Sequence, residues 1–160
     1  MGDLILFLDI DGVLHPWHRE PRLLYRSVPI FEEALRAHPN IEIVISSDRR
    51  IHESLEDLRK PFSRDIQARI IDVNPFFDGF TELEKSLFPS DLLNHPRQLE
   101  CLAWLATHRP GDDSSWVAID DTFDHFHPLQ SNIYWVEGTT GLESSELDQL
   151  RDFLAEEYLR

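Results

Sequence analysis

Leu4-Ile5-Leu6-Phe7-Leu8-Asp9-Ile10-Asp11-Gly12-Val13-Leu14 is the stretch on which the fold turns. Five apolar residues run into two carboxylates spaced i, i+2, and then a glycine. An apolar run this short, closed by a turn residue, predicts a buried strand. Side chains alternate along a strand, so Asp9 and Asp11 point the same way if the strand stays regular. Two carboxylates at the mouth of a buried strand repel each other and resist desolvation. A divalent cation is the simplest group that offsets that cost.

Four further apolar runs, 41–45, 69–73, 116–119 and 133–136, are predicted strands alongside 4–8. Helical patterns fall between them. Residues 30–38 follow Pro29, a helix-opening residue. Residues 51–59 place Ile51, Leu55 and Leu58 on one face and stop before Pro61. Residues 96–108 carry Leu99, Leu102, Ala103 and Ala106. Residues 145–159 open on Ser144-Ser145 and repeat Leu147, Leu150, Leu154 and Tyr158 at helical spacing. Strands alternating with helices predict one three-layer α/β/α, Rossmann-like domain over residues 1–160, with a mostly parallel five-stranded sheet. Residues 15–29 and 74–95 show no clear period. The aromatics of the second segment argue for packing as short helices.

In open α/β sheets ligands bind beyond the carboxyl ends of the strands. The first strand delivers Asp9 and Asp11 there. The second delivers Ser46-Ser47-Asp48-Arg49-Arg50, and the fourth Asp120-Asp121. Asp120-Asp121 alone also fits a turn, and Ser46-Ser47 alone a helix cap. Their coincidence at three strand ends suits phosphoryl transfer. Asp9 with Asp120 or Asp121 can hold Mg²⁺, a hard cation that prefers oxygen. A carboxylate can act as nucleophile, and serine and arginine can hold phosphoryl oxygens. Arg97, which opens the fourth helical segment, is a further candidate. His15, His18, His125 and His127 lack zinc spacing and read as loop residues.

Composition narrows the partners. Hydrophobic residues make up 41% of the chain, which argues against disorder, and the formal net charge is −15. That charge disfavours nucleic acid or an anionic membrane, whose binders present basic patches. A local arginine cluster still serves an anionic substrate, because charges beyond about 8 Å are largely screened. Cys101, the only cysteine, reads as a buried helical thiol. No run approaches a membrane span or a signal peptide, so a cytoplasmic location is expected. Oligomeric state and physiological substrate are not legible.

These residues carry a resemblance. Asp9-Ile10-Asp11-Gly12-Val13-Leu14 resembles motif I of the haloacid dehalogenase (HAD) superfamily of phosphohydrolases. Ile43-Val44-Ile45-Ser46 resembles motif II, and Val117-Ala118-Ile119-Asp120-Asp121 resembles motif IV. Order and spacing resemble the phosphatase-like HAD domains of bacterial RNA-repair proteins, in which an Arg-x-x-Glu helix precedes motif IV; Arg97-Gln98-Leu99-Glu100 matches it. The resemblance implies a Mg²⁺-dependent phosphatase with minimal or no cap. Asp9 is then nucleophile and metal ligand. Asp11 is general acid and base, with its backbone carbonyl on the metal. Ser46 and Arg97 hold the phosphoryl group, and Asp120 holds the metal with Asp121 beside it. Arg50 aligns with the arginine of a family Ser-Ser-Ser-Trp-Arg run. Asp48 departs from that run and brings a negative charge toward the phosphate. A phosphate-binding module of weak activity and a nucleic-acid end phosphatase are the alternative readings.

Overall fold

A computed structural model describes residues 3–111 and 115–160. Five strands, β1 (Ile5–Leu8), β2 (Glu42–Ile45), β3 (Ile70–Val73), β4 (Trp116–Asp120) and β5 (Ile133–Trp135), form one sheet in the order β3-β2-β1-β4-β5. Every pairing is parallel. The predicted strands thus stand within a residue or so of their expected bounds. The main helices are α1 (Val28–Arg36), α2 (Leu55–Arg59), α3 (Arg64–Gln67), α4 (Glu82–Ser86), α5 (Pro96–His108) and α6 (Leu147–Tyr158).

Alternation along the strands builds the two faces. Leu4, Leu6 and Leu8 pack with Ile43, Ile45, Val117 and Ile119 against α1 and α6. Ile5 and Phe7 pack with Val44 and Ala118 against Cys101 and Trp104 of α5. Phe7 is gripped edge-on by Trp104 and Trp116, with centroids 5.9 and 5.8 Å away. A strand covered on both sides is apolar at every position, which is why β1 shows no polar alternation in sequence.

Three local expectations shift. Pro29 lies inside the first turn of α1, since its missing N–H costs nothing there. The helix expected over 51–59 begins only at Leu55, because the Ser54 side chain accepts from the Asp57 amide and caps it; residues Asp48–Ile51 form a separate 3-10 turn. The last helix likewise starts at Leu147, after a 3-10 turn over Ser144–Glu146. The segment 74–95 does fold into short pieces, a 3-10 turn at Phe77–Gly79, α4, and a second turn at Ser90–Asn94.

Register fixes what reaches the carboxyl edge. Leu8 lies opposite Ile45 and Ile119. One residue further, Asp9, Ser46 and Asp120 stand side by side, each two residues on from a side chain packed toward α5. The helix that covers this face opens with Arg97.

Candidate active site

Asp9, Asp120 and Asp121 form a cluster in which one carboxylate oxygen from each lies within 4.8 Å of the others. Asp9 and Asp120 are buried, and Asp121 is half-buried. Asp9 Oδ1 accepts from the Ile10 amide at 2.8 Å, and Asp120 Oδ1 from the Thr122 amide at 2.9 Å. Burial and the neighbouring Asp120 push Asp9 well above the usual carboxylate range, against the pull of Arg97. Burial pushes Asp120 up to about 7, again against Arg97. Two adjacent buried carboxylates that resist ionising are a poor structural choice and a good cation site.

Asp121 is positioned by the absence of side chains around it. A Cβ on Gly12 would lie 2.1 Å from Asp121 Oδ2, and one on Gly138 2.4 Å from the same atom. Gly12 also needs its glycine for a φ of +82°. The Gly138 loop is pinned by its carbonyl, which accepts from the Trp17 amide at 2.9 Å.

Arg97 is the buried counter-charge. Nη1 donates to the Ser46 carbonyl and to Glu100 Oε1 at 3.3 Å; Nη2 donates to Asp48 Oδ1 at 3.0 Å; Nε lies 3.8 Å from Asp120 Oδ2. Burial opposes its charge, but Asp120, Asp9, Glu100 and Asp48 together hold it protonated. Ser46 Oγ, Arg97 Nε and Asp120 Oδ2 are all buried without a hydrogen-bond partner. Each such atom costs about 1–3 kcal/mol, and all three lie at the carboxyl ends of the strands or on the arginine that faces them.

Asp11 departs from Asp9. The strand ends at Leu8, and the turn at Gly12 carries the Asp11 carboxylate away from the cluster. It accepts from His15 Nε2 at 2.7 Å and from Arg49 Nε and Nη2 at 3.0 and 3.1 Å, with Arg19 Nε 3.3 Å away. Burial opposes ionisation, yet the hydrogen bonds from His15 and Arg49 hold Asp11 far below the usual range. The expectation that both carboxylates face one cation therefore applies to Asp9 alone among their side chains. His15, read from sequence as a loop residue, is fully buried. Its Nδ1 accepts from the Tyr25 amide at 3.1 Å, so in the neutral ring the proton sits on Nε2 and is donated to Asp11. Nothing in residue spacing marked this contact; it depends on Tyr25 adopting a φ of 59°.

Arg50 stands apart from the expected phosphate contacts. It donates to the carbonyls of Asn74, Ser46, Ser47 and Pro75, and to Glu100 Oε2 at 2.6 Å. Its guanidinium is engaged in holding the two loops after β2 and β3. Asp48 pairs with Arg97, and with Arg50 at 3.5 Å, and remains largely exposed. Burial pushes the Cys101 thiol up, which leaves it inert. Among the described residues no helix is long and apolar enough to cross a membrane.

The family model describing the HAD domain in Swiss Army Knife RNA repair proteins matches residues 5–147. The chain belongs to that HAD family. The five-stranded, all-parallel sheet with its helices is consistent with the Rossmann-like fold of HAD-type hydrolase domains. Searches of curated proteins and of solved structures found no match. The residues present fit the Mg²⁺ that HAD domains generally use: three clustered carboxylates, one with an unpartnered oxygen, at an oxygen-only site.

Three outcomes are expected. Folding raises the pKa of both Asp9 and Asp120, so the stability they contribute is complete below the ordinary carboxylate range and is lost as pH rises, through about 7 for Asp120. In EDTA the melting temperature should fall from about pH 6 to about pH 8, and Asp120→Asn should raise it at pH 8 by about 2–4 °C or more. A wild-type melting temperature that climbs over that interval contradicts this. Gly138→Ala should weaken Mg²⁺ binding about 10–100-fold by displacing Asp121, with little change in metal-free stability; calorimetric titration reads it. Arg50→Ala should cost about 3–5 kcal/mol in urea unfolding, because it takes one of two charge partners from buried Glu100 and leaves four loop carbonyls without their donor; intact stability with lost phosphate binding would return Arg50 to the site.

Proposed function

We propose that this HAD domain is a Mg²⁺-dependent phosphomonoester hydrolase that forms an aspartyl-phosphate on Asp9. The single observation that carries the reading is the meeting of Asp9, Ser46 and Asp120, from three adjacent strands, around Arg97 with three buried polar atoms left unpartnered. Asp9, Asp120 and Asp121 would hold the cation, with the Asp11 backbone carbonyl as a further ligand. Bound there, Mg²⁺ would favour the ionised acids and offset phosphoryl charge.

The chain's own residues then do the following. Ser46 Oγ donates to one phosphoryl oxygen. Arg97 turns its unpartnered Nε and its Nη2 toward others. Asp9 attacks phosphorus, and the bond from phosphorus to the leaving oxygen breaks. That oxygen takes a proton from Asp11. Asp11, now a carboxylate, removes a proton from water, which attacks phosphorus and releases Asp9 and inorganic phosphate. In the resting structure Asp11 is held ionised by His15 and Arg49, ready for the second step. Its acid role in the first step requires the Arg49 clamp to loosen so that Asp11 takes up a proton from solvent, and an arriving dianion supplies a competing partner for Arg49. One buried free cysteine fits a reducing, cytoplasmic setting.

A second reading, phosphorylated RNA ends as substrate, is favoured by the loop after β1. Trp17, 54% exposed, lies against His18 with centroids 4.2 Å apart, and Arg19, Arg22 and Arg26 follow. An exposed indole on a loop rich in arginine, though Arg19 pairs with Asp11 and Arg22 with Glu20, offers a stacking face to a terminal nucleotide, and the family's RNA-repair description agrees. The net charge of −15 opposes binding to long strands.

Asp9→Asn should lower aryl phosphate turnover in Mg²⁺ by about 10³-fold or more with a melting temperature no lower than that of wild type. Turnover equal to wild type removes Asp9 as nucleophile. Under the same conditions, hydrolysis of 3′- or 5′-phosphorylated RNA oligonucleotides, weakened by Trp17→Ala, supports the second reading; release of phosphate from small esters alone rejects it.

A further inference from the structure

A cavity of about 210 Å³ is lined by Arg97 but by none of the three clustered carboxylates. Phe76, Phe77, Leu93 and Pro96 supply its apolar wall. Phe76 and Leu93 each keep 39% of their surface exposed. The rings are held in place: Arg50 covers Phe76 at 5.4 Å, and the Lys85 ammonium lies over Phe77 at 4.9 Å. The polar wall is acidic, with Asp48, Asp78 and Glu100 against the one guanidinium of Arg97. His125 also lines it, and its Nδ1 is buried without a partner. Burial and the charge of Arg97 lower the proton affinity of His125, so it offers a neutral ring.

The cavity and the acid cluster share one wall. Arg97 Nε faces Asp120, while Nη2 meets Asp48 inside the cavity. A phosphoryl group on Ser46 and Arg97 therefore stands at the cavity mouth. It also competes with Asp48 for Arg97 Nη2, and the largely exposed Asp48 side chain has solvent on its other side. Glu100 is saturated by Arg50, Arg97 and the Phe77 amide. Asp48 and exposed Asp78 then remain to repel a second anion.

We propose that this cavity receives the group that carries the phosphate, that it selects an uncharged planar ring there, and that Asp48 screens out rings bearing a further negative charge. The volume lies below the roughly 300–1,000 Å³ of sites for drug-sized ligands, which limits the occupant to about one ring system. Aromatic walls, a single neutral hydrogen-bonding nitrogen and carboxylates are a poor lining for phosphate and a good one for a phenol-like or nucleobase ring. The proposal rests on the hydrolase reading for the position of the phosphoryl group. The ring can belong to a free small ester or to the terminal nucleotide of a strand.

Non-hydrolysable phosphonates, titrated calorimetrically in Mg²⁺, separate the two claims. Phenylphosphonate should bind about tenfold tighter than methylphosphonate, from burial of the ring. Phe77→Ala should bring the two within about twofold, and because the readout is a ratio on one protein sample it is insensitive to a misfolded fraction. In wild type, 3-carboxyphenylphosphonate should bind about tenfold more weakly than phenylphosphonate, and Asp48→Asn should remove most of that penalty. Equal affinities for the phenyl and methyl compounds overturn the cavity as a ring site even if aryl phosphates are hydrolysed. A carboxylate penalty that survives Asp48→Asn overturns the screening role. Ring-selective binding with no hydrolysis of any ester upholds the cavity and rejects the hydrolase reading; no binding of either phosphonate rejects both. Displacement of phenylphosphonate by a mononucleotide but not by a phosphorylated trinucleotide identifies a free ester, and displacement by both identifies a strand end.

Discussion

One buried guanidinium holds the carboxyl edge of this sheet together. Arg97 lies between Asp120 and Asp9 on one side and Glu100 and Asp48 on the other, and it also donates to the Ser46 carbonyl. Taken out of water, four carboxylates and one cation do not balance. The imbalance is tolerable because Glu100 shares a second guanidinium, that of Arg50, and because Asp48 reaches solvent. What stays uncompensated is the pair Asp9 and Asp120. The fold thus places an unmet demand for positive charge at the end of its central strands, and the ligand preferences of the site follow from it.

Much of this was legible in the residues. A β1 apolar at every position announced a strand covered on both faces, and acids and a serine at three strand ends announced where a ligand sits. The register that puts Asp9, Ser46 and Asp120 abreast follows from parallel pairing of equal apolar runs. Arg97 was legible as a candidate because it opens the helix before the last acidic motif. The division of labour between the arginines was not legible. Arg49 and Arg50 are adjacent, yet one grips Asp11 and the other ties loop carbonyls and Glu100. Which does which depends on the 3-10 turn over Asp48–Ile51, a feature set by capping at Ser47 and Ser54 and not by any hydrophobic period.

Asp9 and Asp11 show how two residues of one motif acquire opposite chemistry. Both lose hydration. Asp9 meets other carboxylates and is driven toward its neutral form, while Asp11 meets two guanidinium groups and an imidazole N–H and is driven toward its ionised form. Regular strand geometry would have given them a common environment. The strand ends at Leu8, and the turn that follows, with Gly12 at a φ of +82°, parts the two side chains; Gly12 also leaves room for the Asp121 carboxylate. One turn therefore shapes both the contrast between the two acids and the packing of the cluster.

The hydrogen bond from the Tyr25 amide to His15 has a consequence of its own. It fixes the imidazole tautomer through the shape of the backbone between residues 15 and 27, a segment that bends through left-handed conformations at Arg19 and Tyr25. Were that segment to shift, the ring could turn its other nitrogen, and Asp11 would lose a donor and face an acceptor. The same segment carries the exposed Trp17. Trp17 and the backbone that fixes a hydrogen-bond donor of Asp11 thus belong to one loop, so the exposed ring and the partly buried carboxylate share a single structural support.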